Sequence, residues 1–287
     1  MKHWTFILVL AAGVVHLRAA VVVSLKDGET VNAESIVPEG NKFRLTVVGA
    51  APRLLEGSLV ERVEMPEPAN LAAVYAAHAN GDTVATLQTM GKLKVELDPF
   101  KKIAGARDWW LEAEFLRAHI LLSQRRAKDM EVSMKEIAAD ASDPDAQRHA
   151  QAFLAHVIGL GGDPRKALEQ LMAIIMASAD PDALADAWLF AGHNYIAVND
   201  QQTALLAYLR IPVFYPTKPV ALAGARLGAA RCYVALEELA LARSSLKELV
   251  SKQGKTVEGV EGKKLLSQVE RDLGLNATAP SADEPTK

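Results

Sequence analysis

Two kinds of hydrophobic pattern follow one another along the chain. From Val21 to Met65 short apolar runs alternate with turn residues: Val21-Val22-Val23-Ser24-Leu25, then Lys26-Asp27-Gly28-Glu29, then Thr30-Val31-Asn32-Ala33. Asp-Gly between apolar segments signals a hairpin, because the tight turn that matches strand twist needs positive φ at its centre. Further strands are predicted over Ser35 to Pro38, Lys42 to Val48 and Leu59 to Glu64, with Glu39-Gly40-Asn41 as a turn. Met65-Pro66-Glu67-Pro68 ends this pattern, since proline cannot donate to a strand ladder. From Ala69 to Leu273 the apolar positions recur at helical spacing between short turns. The predicted fold is mostly α, an α-solenoid of about five helical hairpins plus a capping helix, preceded by a small all-β module. The expected domains are a β-barrel or sheet at 21–66 and a helical repeat domain at 69–273.

The helical part repeats. Leu154-Ala155, Ile158 and Ala167 align with Ala191-Gly192, Tyr195 and Ala204, and then with Ala229-Ala230, Tyr233 and Ala242, at steps of 37 and 38 residues. One step upstream are Arg117-Ala118, Leu121 and Met130. Each unit reads as two helices joined by a tight turn: Gly161-Gly162-Asp163-Pro164, Asn199-Asp200 and Glu237-Glu238 punctuate the last three. A first, degenerate pair is expected from Leu71 to Leu97 with Asn80-Gly81-Asp82 as its turn, followed by an irregular insertion from Asp98 to Asp108. The last helix, Glu258 to Leu273, carries apolar positions on one side and charges on the other, as the cap of an open-ended array would.

Composition explains how such an array packs. The chain holds 48 alanines, 38 of them between Ala69 and Ala242, while aromatic residues make up only 6%. Small side chains let helices cross closely. A net charge of −3 argues against a nucleic-acid partner, which would call for a basic face. The single cysteine, Cys232, excludes an intrachain disulfide and a multi-thiolate metal centre, and its mid-helix place between Ala230 and Tyr233 marks a buried packing thiol.

The two ends read differently from the body. Lys2 and His3 precede a short apolar run from Trp4 to Val15 and a small-residue exit at Ala19-Ala20, which reads as a secretory signal peptide over residues 1–20. An exported, periplasmic or extracellular protein follows, with no stable membrane span once the signal is removed; an uncleaved anchor is the alternative. Residues 276–287 read as a disordered tail.

The best unit, Ala185 to about Lys218, resembles the tetratricopeptide repeat (TPR). It places Trp188, Ala191-Gly192, Tyr195, Ala204, Tyr208 and Pro216 at the offsets of that pattern. Ile211 replaces the usual small residue before the proline, and the period exceeds the family's 34 residues by three or four. Ala155, Ala167, Ala230, Tyr233 and Ala242 are the matching packing positions in neighbouring units. The β module similarly resembles small SH3-like or Sm-like barrels, through Leu25 to Gly28 and Ser58 to Val63.

Candidate chemistry is sparse. No His-Glu-x-x-His, P-loop, Rossmann fingerprint or Gly-x-Ser-x-Gly elbow occurs, so no catalytic residue, cofactor or metal is expected. Trp109-Trp110 offers either a surface anchor for a ligand or a core and edge packing pair. One pattern stands out: His119, His156, His193 and Arg231 recur at the repeat period, and His149 lies two turns before His156. The TPR resemblance implies that this position faces a concave groove that holds an extended peptide. The expected function is an exported, non-catalytic scaffold for a protein or peptide, an acidic segment being favoured, bound more tightly below about pH 6.5 where histidine gains charge. The alternatives are that these side chains only pack between repeats, a metal-dependent hydrolase using the groove histidines, or an oligomerisation module of identical chains. In Gram-negative envelopes, proteins similar in kind serve assembly, division or secretion.

Overall fold

The structure, a computed structural model, describes residues 21–47 and 49–275, so the expected signal peptide and the expected tail lie outside the described residues. Two compact units form. One joins the chain up to Pro68 with Val95–Trp110; the other joins Ala69–Lys94 with the chain from Leu111 onward.

In the first unit, β1 (Val21–Leu25), β2 (Thr30–Ala33), β3 (Ser35–Glu39), β4 (Lys42–Thr46), β5 (Arg53–Glu56), β6 (Val60–Glu64) and β7 (Ala104–Gly105) make two sheets, ordered β2-β1-β6-β7 and β3-β4-β5. The alternation of the sequence is the alternation of burial: Val21, Val23 and Leu25 of β1 and Phe43 and Leu45 of β4 are buried while their neighbours are not. Gly28, at φ +90°, turns β1 into β2 as the Asp-Gly pair requires.

The segment read as an irregular insertion belongs to this unit. Its β7 pairs parallel with β6, Val63 opposite Gly105, and Phe100 stacks on Phe43 with ring centroids 5.1 Å apart. Gly105 has φ +80°, and a Cβ there would lie 2.4 Å from the Val63 carbonyl oxygen, so only glycine lets the two strands approach. The helical stretch read as 69–273 is thus interrupted, because a two-residue strand and one phenylalanine carry no periodic signal. The two tryptophans serve the same unit: the Trp109 indole donates to the Met65 carbonyl at 3.1 Å and the Trp110 indole to Asp98 Oδ1 at 3.2 Å.

The helices run as α1 (Ala69–Ala79), α2 (Thr83–Leu97), α3 (Ala106–Ser123), α4 (Ala127–Ala139), α5 (Pro144–Leu160), α6 (Pro164–Ala177), α7 (Pro181–Ala197), α8 (Gln201–Phe214), α9 (Pro219–Ala235), α10 (Leu239–Gln253) and α11 (Val257–Asp272). From α4 onward the second unit is a consecutive array: α5 packs on α4, α6 and α7, and α9 packs on α7, α8, α10 and α11. The repeat is written in the backbone as well as in the side chains. Each turn that closes a first helix contains one left-handed residue, in order Gly81, Arg125, Gly162, Asn199, Glu237 and Gly274. From Arg125 onward these recur at 37, 37, 38 and 37 residues. The amide of the next residue reaches back to the carbonyl five residues earlier, as in Asp163 to Ile158, Asp200 to Tyr195 and Glu238 to Tyr233. This is the six-to-one bond of a Schellman cap, which satisfies carbonyls the helix leaves open. Asp82, Asp163 and Asp200 then cap the following helix, accepting from the amides of Ala85, Lys166 and Thr203.

Packing follows the small residues. Ala155, Ala167, Ala204, Ala230 and Ala242 are fully buried. The Tyr208 ring lies between two glycines of neighbouring helices: a Cβ at Gly192 would come within 2.4 Å of it and one at Gly228 within 2.5 Å. Tyr195 reaches Met172, Tyr233 packs against the cluster of Leu227, Ala230 and Leu246, and the Arg210 guanidinium lies 4.2 Å from the Trp188 ring centre. Pro216 sits in the turn after α8.

The end helix does more than cap. Lys255, at the turn into α11, donates to Asn80 Oδ1 at 3.3 Å, and Gly81 lies so close to the Lys255 carbonyl that a Cβ there would be 2.1 Å away. The α1–α2 turn therefore meets the α10–α11 turn, and the array closes on itself where an open end was expected.

Candidate functional site

The second unit holds an open-mouthed cavity of about 360 Å³. Every first helix contributes to its wall: His78 from α1, His119 from α3, His156 from α5, His193 from α7, Arg231 from α9, and Glu258 with Glu261 from α11. Tyr208 is the contribution of a second helix. His119, His156, His193 and Arg231, found by their period, thus come together on one surface. His149 does not line it; it is buried one layer behind.

Behind the wall is a carboxylate that the sequence reading passed over. Asp186 on α7 is buried, and its Oδ2 accepts from Nε2 of His119 at 2.9 Å and from Nε2 of His149 at 2.8 Å. Burial alone would push this carboxyl up, yet the two imidazoles hold it well below the usual carboxylate range. A signal for it exists. His149 and Asp186 are 37 residues apart, so they are the same position in successive units, and adjacent first helices set that position face to face. Tyr75 and Glu112, another 37-residue step, pair likewise at 2.9 Å.

A continuous stack of rings runs along the same helices. Phe115 stacks on His149 at 3.7 Å and on Phe153 at 5.8 Å; Phe153 meets Phe190 edge-on at 4.9 Å; His156 lies flat on Phe190 at 4.5 Å; His193 meets Tyr208 at 5.8 Å. Such packing desolvates the imidazoles. Burial pushes His156 down to about 3, with His193 and His119 adding repulsion, and pushes His193 down to about 4, with the Arg231 charge and His119 adding to it. Nδ1 of His156 accepts from the Asn194 amide at 3.3 Å, which requires that nitrogen to be unprotonated. Burial also lowers His78, partly offset by Glu258.

Two members of the ladder, His156 and His193, therefore lack the charge expected of them just below pH 6.5. His156 and His193 are neutral rings, and the window in which they would attract an acidic segment lies near pH 3 to 4 instead of below 6.5. Arg231 is ion-paired with Glu261. Glu258, by contrast, has one oxygen, Oε2, enclosed with no hydrogen-bond partner. Among the described residues no three His, Cys, Asp or Glu side chains converge as metal ligands would, and His149 and His156 direct nitrogens to Asp186 and Asn194. Cys232 is buried beside the array, its thiol pushed up to about 11 by burial, which makes it a poor nucleophile. Among the described residues no helix is long and apolar enough to cross a membrane. No protein-family model matches the chain, and neither does any curated protein.

Proposed function

We propose that this protein is a non-catalytic, exported scaffold of TPR-like repeats that holds a protein partner through the inner face of its helical array. One observation carries the reading: four positions selected only by the repeat period, His119, His156, His193 and Arg231, line a single cavity. Repetition alone would place them in register; it would not leave space in front of them. Leu160 and Ile196, both substantially exposed, sit on the cavity wall, so part of a partner can reach it. The 37-residue hairpin with small residues at its crossing supports the TPR-like reading, and the strand unit supplies a second surface, consistent with an SH3-like or Sm-like module.

The test is a pull-down from the cell envelope with the native chain and with Ile196→Trp, which adds bulk at a half-exposed position of the wall. The expected result is a partner retained by the native chain and lost by a variant that keeps the native circular dichroism spectrum. Equal recovery by both would place binding elsewhere and overturn the reading.

A further inference from the structure

We infer that the cavity takes up an uncharged carboxamide side chain of the partner, a glutamine or asparagine, bonded between His156 and His193. This rests on the scaffold reading above, since the partner supplies the side chain.

The Asn194 side-chain nitrogen donates to the Phe190 carbonyl at 2.8 Å, which identifies it as the NH2 group, and it donates also to Nδ1 of His156 at 3.3 Å. Nδ1 is then an acceptor, so the His156 ring carries its proton on Nε2 and presents an N–H there. That N–H has no partner within the chain, yet it is not sealed off: among the described residues the enclosed, unpartnered side-chain atoms belong to Arg107, Arg148, Arg226 and Glu258. It therefore reaches open space, and His156, although only 7% exposed, lies on the cavity wall. His193, whose ring centre is 5.2 Å away on the same wall, is in the same condition, its nitrogens neither bonded within the chain nor enclosed. As a neutral ring it offers one N–H and one bare nitrogen. A carboxamide answers both groups, its oxygen accepting from His156 and its NH2 donating to His193. Leu122, Leu189 and Leu227 on the wall suit the methylenes that carry it. Charged side chains fit less well. An ammonium would meet the His156 N–H donor to donor, and a carboxylate would lose its hydration on a wall that holds Glu258 and Glu261, with Arg231 already paired to Glu261. The cavity's volume is at the small end of ligand sites, enough for a side chain and not for a folded element.

The experiment titrates the full chain at pH 7.5 with end-blocked alanine pentapeptides whose central residue is glutamine, norleucine, glutamate or lysine, so that the backbone amides are the same in all four. Binding is read from the ring carbon-proton signals of His156 and His193. The glutamine peptide is expected to shift these signals and to bind about fivefold tighter than norleucine, as uncharged hydrogen bonds imply, with glutamate and lysine no tighter than norleucine. His156→Phe keeps a flat ring and removes the N–H, and should bring glutamine down to the level of norleucine. Nitrogen spectra of the native chain should place the His156 proton on Nε2. Equal binding of glutamine and norleucine, tighter binding of glutamate or lysine, a proton on Nδ1, or a glutamine advantage that survives in His156→Phe each overturns the inference. The native-chain comparisons stand whether or not the variant folds. A pull-down that depends on the cavity, combined with no glutamine preference, would remove this inference and leave the scaffold; a glutamine preference without a retained partner would do the reverse.

Discussion

At the scale of single residues, the molecule depends on positions where one atom more or one charge less would not fit. Asp186 is the clearest. Replacing it by Asn keeps one acceptor oxygen but removes the carboxylate charge to which both imidazoles bond, and Asp186→Asn is expected to cost about 1–3 kcal/mol in urea unfolding. Gly192→Ala puts a methyl group 2.4 Å from the Tyr208 ring and should cost about 1–3 kcal/mol as overpacking. The histidines set a pH dependence. His156 and His193 have folded values of about 3 and 4, below an unfolded value near 6.5, so the unfolded chain binds more protons between those limits. Stability should therefore fall as pH drops below 6.5, by up to about 2 kcal/mol per histidine at pH 5, and level off above pH 7. The same curve measured on His156→Phe should lose part of that slope. The sequence made the histidines visible through their period, yet not their state, because neutrality comes from Phe190 and Tyr208, which other turns of the chain bring in. Asp186 was within reach of the same arithmetic that found His149, but its role needs the knowledge that neighbouring first helices align position for position.

At the scale of elements, the recurring turn is the unit of construction. Gly162 adopts its positive φ of 104° without strain, whereas Arg125, Asn199 and Glu237 hold positive φ values of 59–63° with side chains attached. Gly162→Ala is expected to destabilise by about 1 kcal/mol, and Glu237→Gly to be neutral or stabilising by up to about 1 kcal/mol, both measured by chemical denaturation. A result in which Glu237→Gly costs as much as Gly162→Ala would mean that the turns are not equivalent. These elements were the most legible part of the sequence, since Gly-Gly-Asp-Pro and Asn-Asp punctuate a strong helical period. The turn at Arg125-Arg126 has no such residues and shows only through its place in the repeat. The strand Ala104–Gly105 was beyond reach for a different reason: pairing with β6 is a contact between distant segments, and two residues carry no pattern.

At the scale of the whole helical unit, the last turn of the array meets the first, and α1 and α11 both contribute to the cavity wall. The contact is small, the Lys255 bond to Asn80 and the close approach at Gly81, so it should be separable from the fold. Gly81→Val would collide with the Lys255 carbonyl and is expected to raise amide hydrogen exchange in residues 77–83 and 253–258 while α5 to α9 stay protected. Uniform loss of protection would instead make closure part of global stability. The composition of the chain anticipated thin, alanine-lined crossings, but not that the last helix would return to the first turn, because that contact joins residues 175 apart in sequence.

The claim that the inner face holds the partner is tested most directly by site-specific photocrosslinking in cells. A photoreactive residue placed at Leu160 or Ile196 on the cavity wall, or at Met176, which is 86% exposed and absent from that wall, compares inside with outside on one scaffold. The account expects one discrete adduct from both wall positions and none from Met176. Equal adducts from Met176, or none from either wall position, would contradict it.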